Sequence, residues 1–261
     1  MLNNQNRKRA GELLVYALRN KKTGFVTRVS VPPALVSLAY DMGRCRRAMA
    51  KLTNQDGYRD YARATEEPTA ERERARICTE RRGVLAELVI GGLFDLSGAK
   101  DYALQPLVSH TSEPGADVRL DGLLYDIKAA GQLSAEWSAG PEGGSRLEDD
   151  NNISINHVDH CDYLMEAGAA GYISVYFYLE NGVPVAADIF FNTMEQVSAL
   201  PIRYPRNCWK YSNKDMRYRL LPLSFPDERQ SDGFDKRLAA VLRAGFHPKS
   251  ASPFAPLARA A

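Results

Sequence analysis

The sequence predicts a protein of the α/β or α+β class, and three observations lead there. Apolar residues recur at helical spacing through Ala34–Leu52 and again through Glu80–Leu96. Short β-rich runs then follow one another from Tyr102 to Phe191 with helical interruptions, which suits a sheet with helices and not a bundle. Between two of those runs stands Asp121-Gly122, the strongest short hairpin signal. The 261 residues are 44% hydrophobic and 25% charged, the balance of a soluble globular chain, so dominant disorder and fibrous classes are excluded.

Taken in order, Glu12–Leu18 reads as one short helical turn. Pro33 starts a helix over Ala34–Leu52, with Leu35, Leu38, Ala39, Met42, Met49 and Leu52 as a broken apolar stripe and Arg44, Arg46 and Arg47 on it. Thr65–Arg76 is nearly all charged, a linker or an exposed helical lead-in. Glu80–Leu96 carries Val84, Leu85, Leu88, Val89 and Leu93, an amphipathic helix in which Gly91 and Gly92 mark a close backbone approach or the helix end. Strands are expected at Tyr102–Val108, Ala116–Leu120, Leu123–Ala129, Tyr163–Ala167, Tyr172–Leu179 and Val185–Phe191. Ser138–Asn152 reads as a loop, Thr193–Leu200 and Lys236–Ala244 as short helices, and the tail after Pro248 as frayed. The expected division is a basic helical region at 1–78, a core at 79–200 and a C-terminal extension at 201–261.

The net charge of +2 hides an asymmetry: residues 1–80 hold 16 Lys+Arg against 9 Asp+Glu, and the remainder 18 against 23. A basic head points toward a polyanionic partner. Cys45, Cys78, Cys161 and Cys208 lie far apart with no CxxC, which suits a reducing cytoplasm. No apolar run is long enough for a membrane span, and Leu13–Leu18 is too short for a signal-peptide core. GxSxG, Walker and GxGxxG sequences are lacking, so serine hydrolase, NTPase and dinucleotide readings have no support.

The chemistry concentrates in Pro114-Gly-Ala-Asp-Val-Arg-Leu-Asp-Gly-Leu-Leu-Tyr-Asp-Ile-Lys128. A two-residue Asp121-Gly122 loop sets Leu120 against Leu123, Arg119 against Leu124, Val118 against Tyr125 and Asp117 against Asp126. Period-two alternation places Lys128 on the Asp126 face, about 7 Å along the strand. Ala116, Val118, Leu120, Leu123, Tyr125, Ile127 and Ala129 form the opposite, core-facing set. Aspartates opposed at about 5 Å repel each other and need a shared proton, a cation or full exposure to water. A divalent metal answers that need best; hard oxygen ligands suit Mg²⁺, which also polarises a phosphoryl oxygen. Glu87, at the edge of the preceding helix's stripe, is positioned as a further acid.

These residues resemble the PD-(D/E)XK nuclease superfamily: Glu87 on the first core helix, Asp117 in Pro114-Gly-Ala-Asp, and Asp126-Ile-Lys128 as the D-x-K element. Gly115-Ala116 between the proline and Asp117 depart from the pattern. The resemblance covers about residues 80–180 and implies a restriction-endonuclease-like core, a central mixed β-sheet flanked by helices. It further implies that Asp117, Asp126 and the Ile127 carbonyl bind metal, that Lys128 is catalytic, and that Glu87 is an auxiliary ligand. Asp162-Tyr-Leu-Met would be the next core strand.

Two other groups bear on partners. Arg203, Arg206, Lys210, Lys214, Arg217 and Arg219 interleave with Tyr204, Trp209, Tyr211 and Tyr218, cations for phosphates and rings for bases. Arg44, Arg46 and Arg47 form a second cationic set. His157, His160, Cys161 and Cys208 allow a zinc site, or else the histidines sit at a helix end near the active face, with Asn152, Asn156 and Asp159 close by. The resulting expectation is a cytoplasmic, Mg²⁺-dependent (or Mn²⁺-dependent) DNA endonuclease of restriction or phage-defence type, acting as a homodimer where both strands are cut. A junction resolvase or exonuclease of the same fold, and a non-catalytic DNA-binding or assembly protein, are the alternatives.

Overall fold

The computed structural model describes residues 15–20, 24–52, 70–96, 102–104, 115–120, 123–131, 152–203 and 217–222. Strands β1 (Val15–Asn20) and β2 (Gly24–Ser30) open the chain, followed by helices α1 (Pro33–Leu52) and α2 (Ala70–Leu96). Then come β3 (Tyr102–Leu104), β4 (Val118–Leu120), β5 (Leu123–Gly131) and β6 (Asn152–His157). Helix α3 (Val158–Glu166), β7 (Gly171–Glu180), β8 (Val183–Thr193), α4 (Met194–Ser198) and β9 (Tyr218–Pro222) complete it. The result is a mixed α/β architecture, a curled mixed sheet flanked by helices.

Seven strands form the main sheet in the order β1-β2-β8-β7-β5-β4-β3, and β6 pairs with β9 in a separate ribbon. Only β5 and β7 run parallel within the described sheet. A parallel pair needs a crossover, and here β6 and α3 lie within it. The β7–β8 hairpin closes through Asn181 and Gly182, both at positive φ, as a two-residue turn of the I′ kind requires.

Both faces of the sheet are packed. On one, α2 lies between α1 and the sheet, so Val84–Phe94 is buried all round and the expected amphipathic pattern is lost. The helix runs through Gly91 and Gly92 to Leu96, so they do not end it. The two helices meet closely at Gly43, where an added Cβ would lie 2.7 Å from the Arg81 backbone. The other face is covered by α3 and α4 through Cys161, Leu164, Met194 and Val197, packed with Tyr172 and Phe190. Burying each such large side chain contributes about 1.5–3 kcal/mol, which makes the sheet a rigid platform.

Two expected elements are corrected. The helical turn expected at Glu12–Leu18 is corrected from Val15 onward: Val15–Asn20 is a strand paired with Gly24–Ser30, and β2 joins the main sheet against β8. Short runs of alternating apolar residues fit either state locally, and the pairing to β8 decides. Buried Asp188 fixes this junction, taking Arg28 Nε at 2.6 Å and the Tyr178 hydroxyl at 2.8 Å. Asp162–Ala167, which spans the expected strand Tyr163–Ala167 and Asp162-Tyr-Leu-Met, is not a strand but the second half of α3 and its end. Val158, Cys161 and Leu164 are its buried residues, a spacing of three that only a helix turns to one side. Gly168, at φ +75°, stops it, with Gly168 N–H donating to Met165 O and Ala169 N–H to Leu164 O, a Schellman cap. The next core strand is β7. Residues 138–151 and Lys236–Ala244 lie outside the described residues, and among the described residues no helix is long and apolar enough to cross a membrane.

Candidate active site

β4 and β5 pair in the expected register, Val118 with Tyr125, Arg119 with Leu124 and Leu120 with Leu123. The turn residues themselves lie outside the described residues. Beyond Val118 the ladder stops, and the expected opposition of Asp117 to Asp126 is corrected. Asp117 sits in a bend, and its Oδ2 accepts the Ile127 N–H at 2.7 Å. With β4 ended, that N–H needs an acceptor, and the carboxylate one residue before the strand supplies it. An extended residue sends its N–H and C=O to the same edge, so the Ile127 carbonyl faces the edge that Asp117 occupies.

Asp126 is 2% exposed, and its Oδ2 forms an ion pair with Lys128 Nζ. Its Oδ1 lies 3.3 Å from His160 Nε2, on the first turn of α3. The Lys128 ammonium also stands 5.7 Å from the centre of the Tyr172 ring, and the Tyr172 hydroxyl donates to Cys161 Sγ at 3.2 Å. The register extends the site across three strands: Asp126, Tyr172 and Asn192 form one row, and Lys128, Ser174 and Phe190 the next. Ser174 Oγ and Asn192 Oδ1 are buried without a hydrogen-bond partner among the described residues.

Burial and the neighbouring Asp126 charge push the Asp117 carboxyl well above the usual range, although Lys128 and the Ile127 N–H pull against them. Burial also acts on Asp126, but the Lys128 charge and His160 outweigh it and hold that carboxyl below its ordinary value. Lys128 is raised, because the two carboxylates overcome its desolvation. The acid pair is therefore split: Asp126 carries the charge and Asp117 tends to keep a proton.

Glu87, expected as an auxiliary ligand, is paired with Arg46. Both its oxygens are held by Arg46, Nη1 and Nη2 each at 2.7 Å, and both side chains are mostly buried. Burial raises the Glu87 carboxyl, with Arg46 opposing it. The same pairing corrects the reading of Arg44, Arg46 and Arg47 as one outward cationic set. Arg46 serves Glu87, and Arg47, itself buried, binds Glu73 at 2.7 Å, because α1 packs its arginine side onto α2. Arg44 is exposed, with its guanidinium 5.9 Å from the Tyr40 ring centre.

Of the basic aromatic segment, Arg206, Lys210 and Lys214 lie outside the described residues. Arg203 is exposed and exchanges backbone hydrogen bonds with Tyr218. Arg217 donates to Asp159 Oδ1 at 2.9 Å, and its carbonyl accepts the Val158 N–H. Arg219 is 7% exposed, a buried arginine. Cys208 also lies outside the described residues, and His160 and Cys161 contact Asp126 and Tyr172.

Among the described residues no three Asp, Glu, His or Cys side chains gather as a ligand group. The oxygens at hand are two carboxylates and one main-chain carbonyl, all hard donors. That set fits Mg²⁺, which completes its shell with water and substrate oxygens, better than a closed zinc centre. Tyr172, Ser174 and Asn192 were not foreseeable: the sequence places them in strands but does not say which strands neighbour β5. Comparison with protein-family models, curated proteins and solved structures finds no match to this chain.

Proposed function

We propose that this chain is a Mg²⁺-dependent DNA nuclease of the PD-(D/E)XK kind, hydrolysing phosphodiester bonds without a covalent intermediate. The observation that carries the reading is the meeting of Asp117, Asp126 and Lys128 around the Ile127 backbone where β4 ends. The restriction-endonuclease-like fold belongs to the same proposal. Asp126 and Asp117 would hold Mg²⁺, which would supply a Lewis acid for the phosphoryl oxygens. His160 fixes the orientation of Asp126. The Lys128 ammonium, released from Asp126, donates to the attacking water or to the charge developing on phosphorus. Exposed Arg44 and Arg203 would meet DNA phosphates outside the site.

Plasmid and linear DNA incubated with Mg²⁺, Mn²⁺ or EDTA provide the test. Cutting should require the metal, and Asp126→Ala or Lys128→Ala should slow it about a thousandfold while DNA binding persists. Cleavage by both variants at the wild-type rate overturns the assignment. Binding without cutting under every metal condition favours the non-catalytic DNA-binding alternative. Products from ends or branched junctions identify the exonuclease or resolvase form.

A further inference from the structure

Arg219 is a cation without an evident reason to be buried. Its Nε and Nη1 are both shielded from solvent and find no hydrogen-bond partner among the described residues. A desolvated guanidinium with open donors is costly, and it is found where a counter-anion completes it. Its position is fixed from two sides. It pairs with Ile155 across the β6–β9 ribbon, and two residues earlier Arg217 ties the strand to α3 through Asp159 and the Val158 N–H. That same turn of α3 carries His160 and Cys161, which touch Asp126 and Tyr172.

The electrostatics agree with that placement. The Tyr172 hydroxyl is raised by burial and by Asp126, and the Arg219 charge pulls it back. Lys128 is paired with Asp126, and Arg219 adds a second cation to the cluster. In the strands beside β5, Ser174 Oγ and Asn192 Oδ1 are further buried polar atoms lacking partners among the described residues. A planar fork of desolvated donors matches the oxygens of a phosphate.

We propose that Arg219 is a positioning residue that grips one non-bridging phosphate oxygen pair of the substrate strand, beside the phosphodiester at Asp117 and Asp126. This assignment rests on the nuclease reading for its substrate, but the anion seat itself can be tested separately. In EDTA, which leaves DNA uncut, duplex binding is followed by fluorescence anisotropy for wild type, Arg219→Gln and Arg219→Lys. Arg219→Gln should bind about tenfold to a hundredfold more weakly, and its salt slope should fall by about 1. Replacing single phosphates by neutral methylphosphonates should reveal one position that weakens wild type and leaves Arg219→Gln unchanged. Arg219→Lys keeps the charge without the fork and should fall between the two, and it carries the test where the glutamine variant does not fold.

Equal affinities, or identical methylphosphonate profiles in wild type and variants, overturn the proposal while the nuclease reading stands. The second arm uses inorganic phosphate, which should raise the melting temperature of wild type more than that of Arg219→Gln. If wild type neither binds nor cuts DNA yet shows that selective protection, the nuclease reading fails and the anion seat survives as a small-phosphate site. Equal protection of both proteins removes the seat.

Discussion

Asp117 holds the Ile127 N–H at 2.7 Å and, in doing so, brings its carboxyl beside Asp126 without being its ladder partner. The contact has a measurable consequence. A carboxyl whose folded pKa is raised favours the fold below its unfolded pKa, and loses that advantage as pH rises through the folded value. Asp117 therefore weighs against the metal-free fold at neutral pH, whereas depressed Asp126 supports it there and fails only in acid. Asn at 117 keeps an oxygen for Ile127 and carries no charge. In EDTA, Asp117→Asn should raise the melting temperature, with a gain that grows as pH rises above the ordinary carboxylate range. Calorimetry showing a constant gain, or one larger in acid, contradicts the split between the two acids.

The Arg46–Glu87 pair should behave as a buried unit. Arg46→Ala leaves the Glu87 carboxylate without its counter-charge and should cost about 3–5 kcal/mol. Replacing both by Met removes both desolvation costs, so the double variant should lose much less than the sum of the single changes. Urea unfolding of the four proteins measures this coupling. Additive losses would mean that the pair is solvated and that Glu87 is open to a metal after all.

How much of this was legible follows from what each feature depends on. The β4–β5 register was readable because Asp121-Gly122 fixes the turn and counting does the rest. Pro33 likewise marked the start of α1. The Asp117 bend was not readable, since it depends on where β4 stops, and three residues of strand give no pattern that says so. Nor was the burial of Asp126 and Lys128. Reading one face of the β4–β5 hairpin as core holds for Val118, Tyr125 and Ile127, but the other face is also covered, by a helix whose second half carries the expected strand Tyr163–Ala167. The arginines of α1 looked solvent-facing because their partners, Glu73 and Glu87, sit on a different helix. The Asn181-Gly182 turn, in contrast, carried a signal as strong as Asp121-Gly122.

The N-terminal hairpin should depend on Arg28. That residue faces Asp188 directly in the β2–β8 register, and Asp188 is wholly buried. Arg28→Met leaves Asp188 with only the Tyr178 hydroxyl and should cost about 3–5 kcal/mol. Amide exchange should accelerate most in Gly24–Ser30 and its partner segment Ala186–Ile189. Unchanged protection there would show that the ion pair does not hold the hairpin to the sheet.

Lys128 and a metal ion compete for one oxygen. Asp126 Oδ2 is engaged by the Lys128 ammonium, so an ion entering the site must first displace it. Lys128→Met removes that competitor and leaves Asp126 in need of a cation, with His160 its remaining neighbour on the other oxygen. The variant should be less stable than wild type in EDTA. Mg²⁺ should then raise its melting temperature by more than it raises that of wild type, because ligand binding to the folded state alone stabilises in proportion to affinity. Cleavage should nevertheless be lost, since the ammonium that assists the attacking water is gone. Thermal melts across a Mg²⁺ titration decide the matter: an equal or smaller shift in Lys128→Met would place the ion away from Asp126.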